Sequence, residues 1–305
     1  MKHFFLLLTV LLMTSCLTEF NEIDKDRKVS LTKIEEKYFF EGNLEGKVVR
    51  KFMNNKPIID SYYDEKGELN LTSEWSYSNN NLSSIKDYLP NGESYGETNI
   101  TYDELNRIVK IEDKEDGKVF FSIDFLHNEN NTIEIKTSFN EIITNKVFSI
   151  NDNGLVYKET IDGVTSVLVE YENFTPKSSK LNSTEYTFSY LDNVSVPFLY
   201  DNIFGNNKLN IILFSEYYDF SFCSFANPNP NPNPNPNPQS MLHNSVLFTT
   251  HKLVSKIIAD ESKEEHVYVF DKDNFILNKK CYFDGELSVD MDYFFEDDPS
   301  SSLHL

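Results

Sequence analysis

The feature that most constrains this chain is a short phrase that keeps returning. Tyr102-Asp103-Glu104-Leu105-Asn106-Arg107-Ile108 reads as the end of one β-strand, a tight turn and the start of the next. An aromatic closes the first strand. The Asp103 side chain is placed to accept from the backbone two residues on, Asn106 tolerates left-handed backbone, and Ile108 restarts the apolar pattern. The phrase recurs from Tyr63 to Leu69, from Ile150 to Val156 and from Phe270 to Ile276. Further turn signals fall at Gly46, Asn54-Asn55, Asn79 to Asn81, Asn91-Gly92, Asp116-Gly117, Asn128 to Asn131, Asn140 and Asp162-Gly163. Consecutive signals lie roughly 9–14 residues apart, the spacing of short strands joined by hairpins.

Between the turns the chain alternates. Val119, Phe121, Ile123 and Phe125 share one face of a strand, and Phe120, Ser122 and Asp124 the other; Ile133 with Ile135, Phe148 with Ile150, and Val167, Val169 with Tyr171 repeat the pattern. Parallel strands would need long crossovers, which are absent. The expected fold is therefore all-β: an antiparallel meander of repeated hairpins over residues 38–296, forming a curved, one-sided sheet or open barrel. The 25 Phe and 17 Tyr supply strand propensity and cross-strand pairs. Leu209 to Phe214 is too short an apolar run to assign, and reads as a helix or a buried strand. Asn227 to Pro238 is six Asn-Pro pairs in succession. Proline lacks the N–H and holds its neighbour extended, so residues 226–240 are expected to form a disordered exposed loop outside the sheet. Residues 297–305 read as a polar tail.

The N-terminus reads as an export signal. Lys2 and His3 precede an apolar run from Phe4 to Met13 that is too short to span a bilayer as a helix, followed by small Thr14 and Ser15. Met13-Thr14-Ser15-Cys16 resembles a bacterial lipobox. That resemblance implies a signal peptide over residues 1–15 and lipidation of Cys16, with residues 16–37 as an acidic tether. Several acyl chains on one residue would anchor the body stably, each buried methylene contributing roughly 0.8 kcal/mol. With 49 acidic against 28 basic residues the chain is unsuited to nucleic acid, whose phosphates need basic neutralisation. Beyond Cys16 only Cys223 and Cys281 remain, a possible disulfide in an oxidising compartment.

The phrase aromatic-Asp-x-x-Gly/Asn-x-aliphatic, in hairpins of roughly 23 residues, resembles the YD repeat of Rhs-type proteins. The order of lipobox, hairpin repeats, the stretch near Pro197-Phe198, an interrupting loop, the strand start Asn244-Ser245-Val246 and closing hairpins from Val267 to Phe294 is similar to YD-repeat-like lipoproteins of the Bacteroidota. The resemblance implies an outer-membrane lipoprotein, facing the periplasm or the cell surface, and no particular activity.

Chemistry-bearing patterns are sparse. The six histidines form neither a His-x-x-x-His nor a Glu-x-x-His pair, and there is no nucleophile elbow, phosphate loop or dinucleotide fingerprint. No catalytic residue, metal ligand or cofactor is nominated. Asp271-Lys272-Asp273-Asn274 faintly resembles the start of a calcium loop, but turn chemistry accounts for it. Trp75, Tyr77, Tyr88 and Tyr95 crowd two neighbouring hairpins. On the open face of a sheet they would stack on a glycan or clamp a peptide; otherwise they are core residues or cross-strand pairs. The expectation is a lipid-anchored, non-enzymatic binding or interaction module of the cell envelope. The alternatives are a structural spacer, or an envelope glycan hydrolase needing two carboxyls roughly 5–10 Å apart in a cleft.

Overall fold

The computed structural model describes residues 29–139, 142–195, 203–204, 207–217, 242, 247, 250, 252–260 and 262–297. Eighteen strands follow one another: β1 (Val29–Phe40), β2 (Asn43–Met53), β3 (Lys56–Asp64), β4 (Leu69–Ser78), β5 (Asn81–Tyr88) and β6 (Ser94–Tyr102) come first. Next are β7 (Ile108–Glu115), β8 (Lys118–Asn128), β9 (Thr132–Phe139), β10 (Ile142–Ile150), β11 (Val156–Ile161) and β12 (Val164–Glu172). The last are β13 (Thr175–Leu181), β14 (Thr184–Ser195), β15 (Lys252–Ala259), β16 (Ser262–Phe270), β17 (Ile276–Phe283) and β18 (Glu286–Asp297). Each pairs antiparallel with its sequence neighbours, and β1 also pairs with β18, so the meander closes into a barrel without a free edge. The antiparallel hairpin meander is the one expected from sequence, and its end strands meet, so the barrel is closed rather than open.

The repeated phrase does what its residues imply. Asp103 Oδ1 accepts from the N–H groups of Leu105 and Arg107 at 3.0 and 2.9 Å, and Asn106 sits at φ 62°. Asp64, Asn151 and Asp271 repeat both side-chain bonds, with Gly67, Gly154 and Asn274 in the left-handed position. Glycine and asparagine hold a positive φ at little cost.

The aromatic before the turn has a second task. Tyr77, Tyr102, Tyr171 and Tyr190 each follow a one-residue register slip near the end of an even-numbered strand. Their hydroxyls donate to the carbonyls of Pro57, Leu82, Val156 and Pro176 on the preceding strand, at 2.9, 2.6, 2.6 and 2.6 Å. Tyr268 does the same to Val254 at 2.8 Å, and His127 Nε2 lies 2.8 Å from the Ile108 carbonyl. A bulge leaves a strand carbonyl without its ladder partner, and the phenol supplies one. All these contacts lie at the rim where β1 begins, the entry rim.

The two walls differ sharply. Leu71, Trp75, Ile85, Ile100, Ile111, Ile123, Phe125, Ile135 and Phe148 point inward and are buried. The outer wall carries a charged row: Glu74, Lys86, Glu97 and Lys114 stand directly opposite one another across β4 to β7, alternating in sign. Lys110 with Glu112 and Asp124, Lys263 with Glu265, and Lys280 with Asp290 are further ion pairs, and Leu126, Leu168, Val267 and Val269 are exposed between them.

Inside lies α1 (Lys208–Ser215), which settles the ambiguous apolar run as helix. Ile211, Ile212, Leu213 and Phe214 are buried against the wall of β4 to β12, together with Ile203, Phe204 and Leu242. Apolar on most sides, the helix belongs in a core.

Two boundaries move. β1 starts at Val29, within the stretch expected to be tether, because Leu31 and Ile34 are core residues packed with Phe52. The polar spacing of residues 29–37 hides this, since Lys33, Glu35 and Lys37 alternate with inward positions. At the other end β18 runs to Asp297. The Asn-Pro loop at 226–240 lies outside the described residues.

Candidate functional site

The inner wall carries a belt of buried polar side chains that sequence reading did not single out. Direct cross-strand partners run Arg50, Asp60, Ser73, Asp87 from β2 to β5, and Thr98 stands opposite Asp113 across β6 and β7. Arg50 and Asp60 form a bidentate pair, Nε to Oδ1 at 2.8 Å and Nη2 to Oδ2 at 2.7 Å, with Asp60 wholly buried. The Arg50 guanidinium lies 5.6 Å from the Trp75 ring. Ser73 Oγ donates to Asp87 Oδ1.

Two residues past α1 complete this belt. Tyr217 donates to Asp113 Oδ2 at 3.1 Å and lies 2.6 Å from Thr98 Oγ1. Its ring packs on Phe121 and Phe214. Burial lifts the Asp113 carboxyl to about 6, and Asp87 adds to the rise against the Tyr217 hydrogen bond. Burial also raises Asp87. Glu216 forms an ion pair with Lys146, which reaches Glu159 Oε2 at 3.4 Å. Burial raises Glu216; for Lys146 burial opposes its charge, but Glu216 and Glu159 outweigh it. Glu216 Oε1 is buried without a hydrogen-bond partner among the described residues.

A second group occupies β16, β17 and β1. Glu264 Oε1 is 2.6 Å from His266 Nε2, and burial lowers the His266 pKa. Burial pushes Glu36 up to about 8 and Lys279 down to about 8, and each opposes the other's shift by its charge. Glu36 is 2% exposed, and its Oε1 has no hydrogen-bond partner among the described residues. Tyr38 and Tyr293 stand beside it.

At its other end α1 is held by amides. Asn210 Nδ2 and Asn207 Nδ2 donate to the Asn106 carbonyl at 2.9 and 3.2 Å, and the Ile108 N–H donates to Asn210 Oδ1 at 2.9 Å. The Asn81 side chain bonds that of Asn106, and the Leu82 N–H donates to the Ile203 carbonyl. The turn of the repeated phrase is thus also the socket for the helix.

The aromatics nominated from sequence are divided. Trp75 is 5% exposed in the core, Tyr77 points inward to Pro57, Tyr88 is half-buried, and only Tyr95, at 43%, is open to solvent. They do not make one ligand-facing surface, because Trp75 and Tyr77 share the inward phase of β4 while Tyr95 faces solvent. Cys281 is fully buried and disulfide-bonded. Cys223 and Cys16 lie outside the described residues. The belt was hard to foresee because Arg50, Asp60 and Asp113 are residue types that normally face water. Their one sequence signal is that they fall on the inward phase of otherwise apolar strands.

No family model matches this chain, and no curated protein matches it. Among solved structures it is similar to a porin-like protein from Bacteroides uniformis ATCC 8492. That match has a TM-score of 0.28 and 11% identity, covering 87% of this chain and 96% of the other. At that score the likeness carries no argument, and the fold described above rests on its own strand pairing.

Proposed function

We propose that the chain is a lipid-tethered protein of a bacterial cell envelope whose barrel stands in water and serves as a binding or interaction module. The observation that supports this reading is the outer wall. A lipid-facing barrel needs an apolar belt, and each Lys at mid-bilayer depth costs about 2–4 kcal/mol. Lys86 and Lys110 stand within their strands beside Glu74 and Asp124. Such a wall belongs in water, so a membrane address has to come from the lipobox-like segment ending at Cys16. The disulfide at Cys281 fits the same reading: with Cys16 lipidated, Cys223 is its remaining partner.

A docking surface is available at the rim opposite the entry rim. There Val119, Ile142, Ile143 and Val164 are 48%, 60%, 55% and 71% exposed, a group of apolar side chains at the ends of β8, β10 and β12. Exposed apolar groups of this kind mark interaction sites. Metabolic palmitate labelling with fractionation tests the tether. The wild-type chain should be labelled and sediment with membranes, and Cys16→Ala should lose the label and appear in the soluble fraction. An unlabelled wild-type chain, or a Cys16→Ala chain still integral to the membrane, would overturn the reading.

The hydrolase alternative draws on Asp87 and Asp113, carboxylates of the inner wall near enough for Asp87 to act on Asp113, which is raised toward the range of a general acid. Asp113 is only 7% exposed and bonded to Tyr217, so this reading requires the Tyr217 end of α1 to move. Release of reducing sugar from envelope glycan, abolished by Asp113→Asn, would favour it.

A further inference from the structure

The two ends of the internal helix are fastened by different chemistry. At the N-terminal end the hydrogen bonds described above run through Asn81, Asn106, Asn207 and Asn210 and backbone groups, none of which titrates. At the C-terminal end, among the described residues, the side-chain bonds to the wall pass through the buried ionisable groups Glu216 and Tyr217. We propose that α1 is a pH-responsive strap, hinged on its amide end and fastened at its Glu216-Tyr217 end in mildly acidic conditions. That end loosens as the pH rises, because each of its two fastenings brings more carboxylates than cations into a site closed to water.

The first fastening sets Glu216 beside Lys146 of β10 and Glu159 of β11, with the Phe148 ring 5.5 Å from the Lys146 ammonium. One cation serves two carboxylates. Ser166 of β12 satisfies Glu159 Oε1, whereas Glu216 Oε1 has no partner among the described residues. An unsolvated carboxylate oxygen of this kind favours the protonated form. The second fastening sets Tyr217 against Asp113 of β7 and Thr98 of β6, with Asp87 of β5 near enough to act on both. Among the described residues no cation faces Asp113, and Lys114 contributes only its backbone N–H.

The sign follows from burial. Asp113 titrates at about 6 where it sits, against 3.8 for a free aspartate, and Glu216 is shifted the same way. Groups raised in the fastened state stabilise it at low pH and lose that contribution as pH climbs through the raised value. In the acidic form Asp113 and Glu216 are the groups that hold protons, and the strap is closed. In the alkaline form Asp87 with Asp113, and Glu159 with Glu216, repel across a medium that screens them poorly.

Hydrogen exchange of the full chain, read by mass spectrometry and corrected for the intrinsic rate, tests this at about pH 5.5 and pH 8. Peptides covering 208–217 should lose roughly tenfold in protection at the higher pH, while those in β7 and β8 hold theirs. Glu216→Gln and Asp113→Asn, singly, should each reduce the loss, and circular dichroism reports whether each variant keeps its sheet. Equal protection of 208–217 at both pH values would overturn the proposal, as would a parallel loss across the whole barrel. If neither variant folds, the wild-type comparison still decides between a local strap and a global response.

Discussion

Asn106 carries three duties in one residue. It supplies the left-handed turn, its side chain bonds Asn81, and its carbonyl receives both Asn207 and Asn210. The other copies of the phrase perform only the first of these among the described residues. Asn106→Val puts a β-branched side chain at φ 62°, which costs roughly 1–2 kcal/mol in strain before the lost bond is counted. Asn106→Gly keeps the turn and loses only the side-chain bond. Urea unfolding should therefore rank wild type above Gly and Gly well above Val; equal midpoints for the two variants would remove the turn strain from the account. The turn itself was readable in sequence, since Asp103, Asn106 and Ile108 act on neighbours a few residues away. The socket was not, because its partners lie about a hundred residues on and an asparagine shows no preference for one acceptor.

At the scale of elements, hairpins and helix obey different rules. A hairpin declares itself through period-two alternation and turn residues, and these were legible from Gly46 to Gly163. Which wall an aromatic joins is decided by bulges such as those at Tyr77 and Tyr102, and alternation alone does not reveal them. The helix is the opposite case. Lys208–Ser215 is too short to be stable alone, and exists because Ile211, Leu213 and Phe214 have a wall to enter. Phe214 is wholly buried, its ring 5.2 Å from that of Phe204. Phe214→Ala should cost about 3–5 kcal/mol in urea unfolding. A loss under 1 kcal/mol would mean that the helix adds little to the core.

For the whole molecule, the buried belt sets how stability responds to pH. Asp113 binds its proton more tightly in the folded chain, so its contribution is full below the unfolded value of 3.8 and disappears as pH rises through about 6. Glu36 acts in the same sense at about 8. Lys279, lowered to about 8, acts in the opposite sense, since its contribution is lost as pH falls through that value; His266 and His127, both lowered by burial, also favour higher pH. The net curve mixes these, so the informative quantity is a difference. Between about pH 5 and pH 7.5 the stability of wild type relative to Asp113→Asn should fall. A difference that is flat over that range would show that Asp113 keeps an ordinary acidity.

Closure of the ring has a consequence in time. Every hairpin joins strands that are adjacent in the chain, and each can pair as soon as both strands are available. The seam between β1 and β18 is different: the bond from Thr32 Oγ1 to the Phe294 carbonyl spans 262 residues. Loop closure over such a distance comes late, so the meander passes through a stage in which both outermost strands offer unpaired backbone. During that interval the chain is most open to joining another copy edge to edge. A chain cut before Glu286 would never leave it.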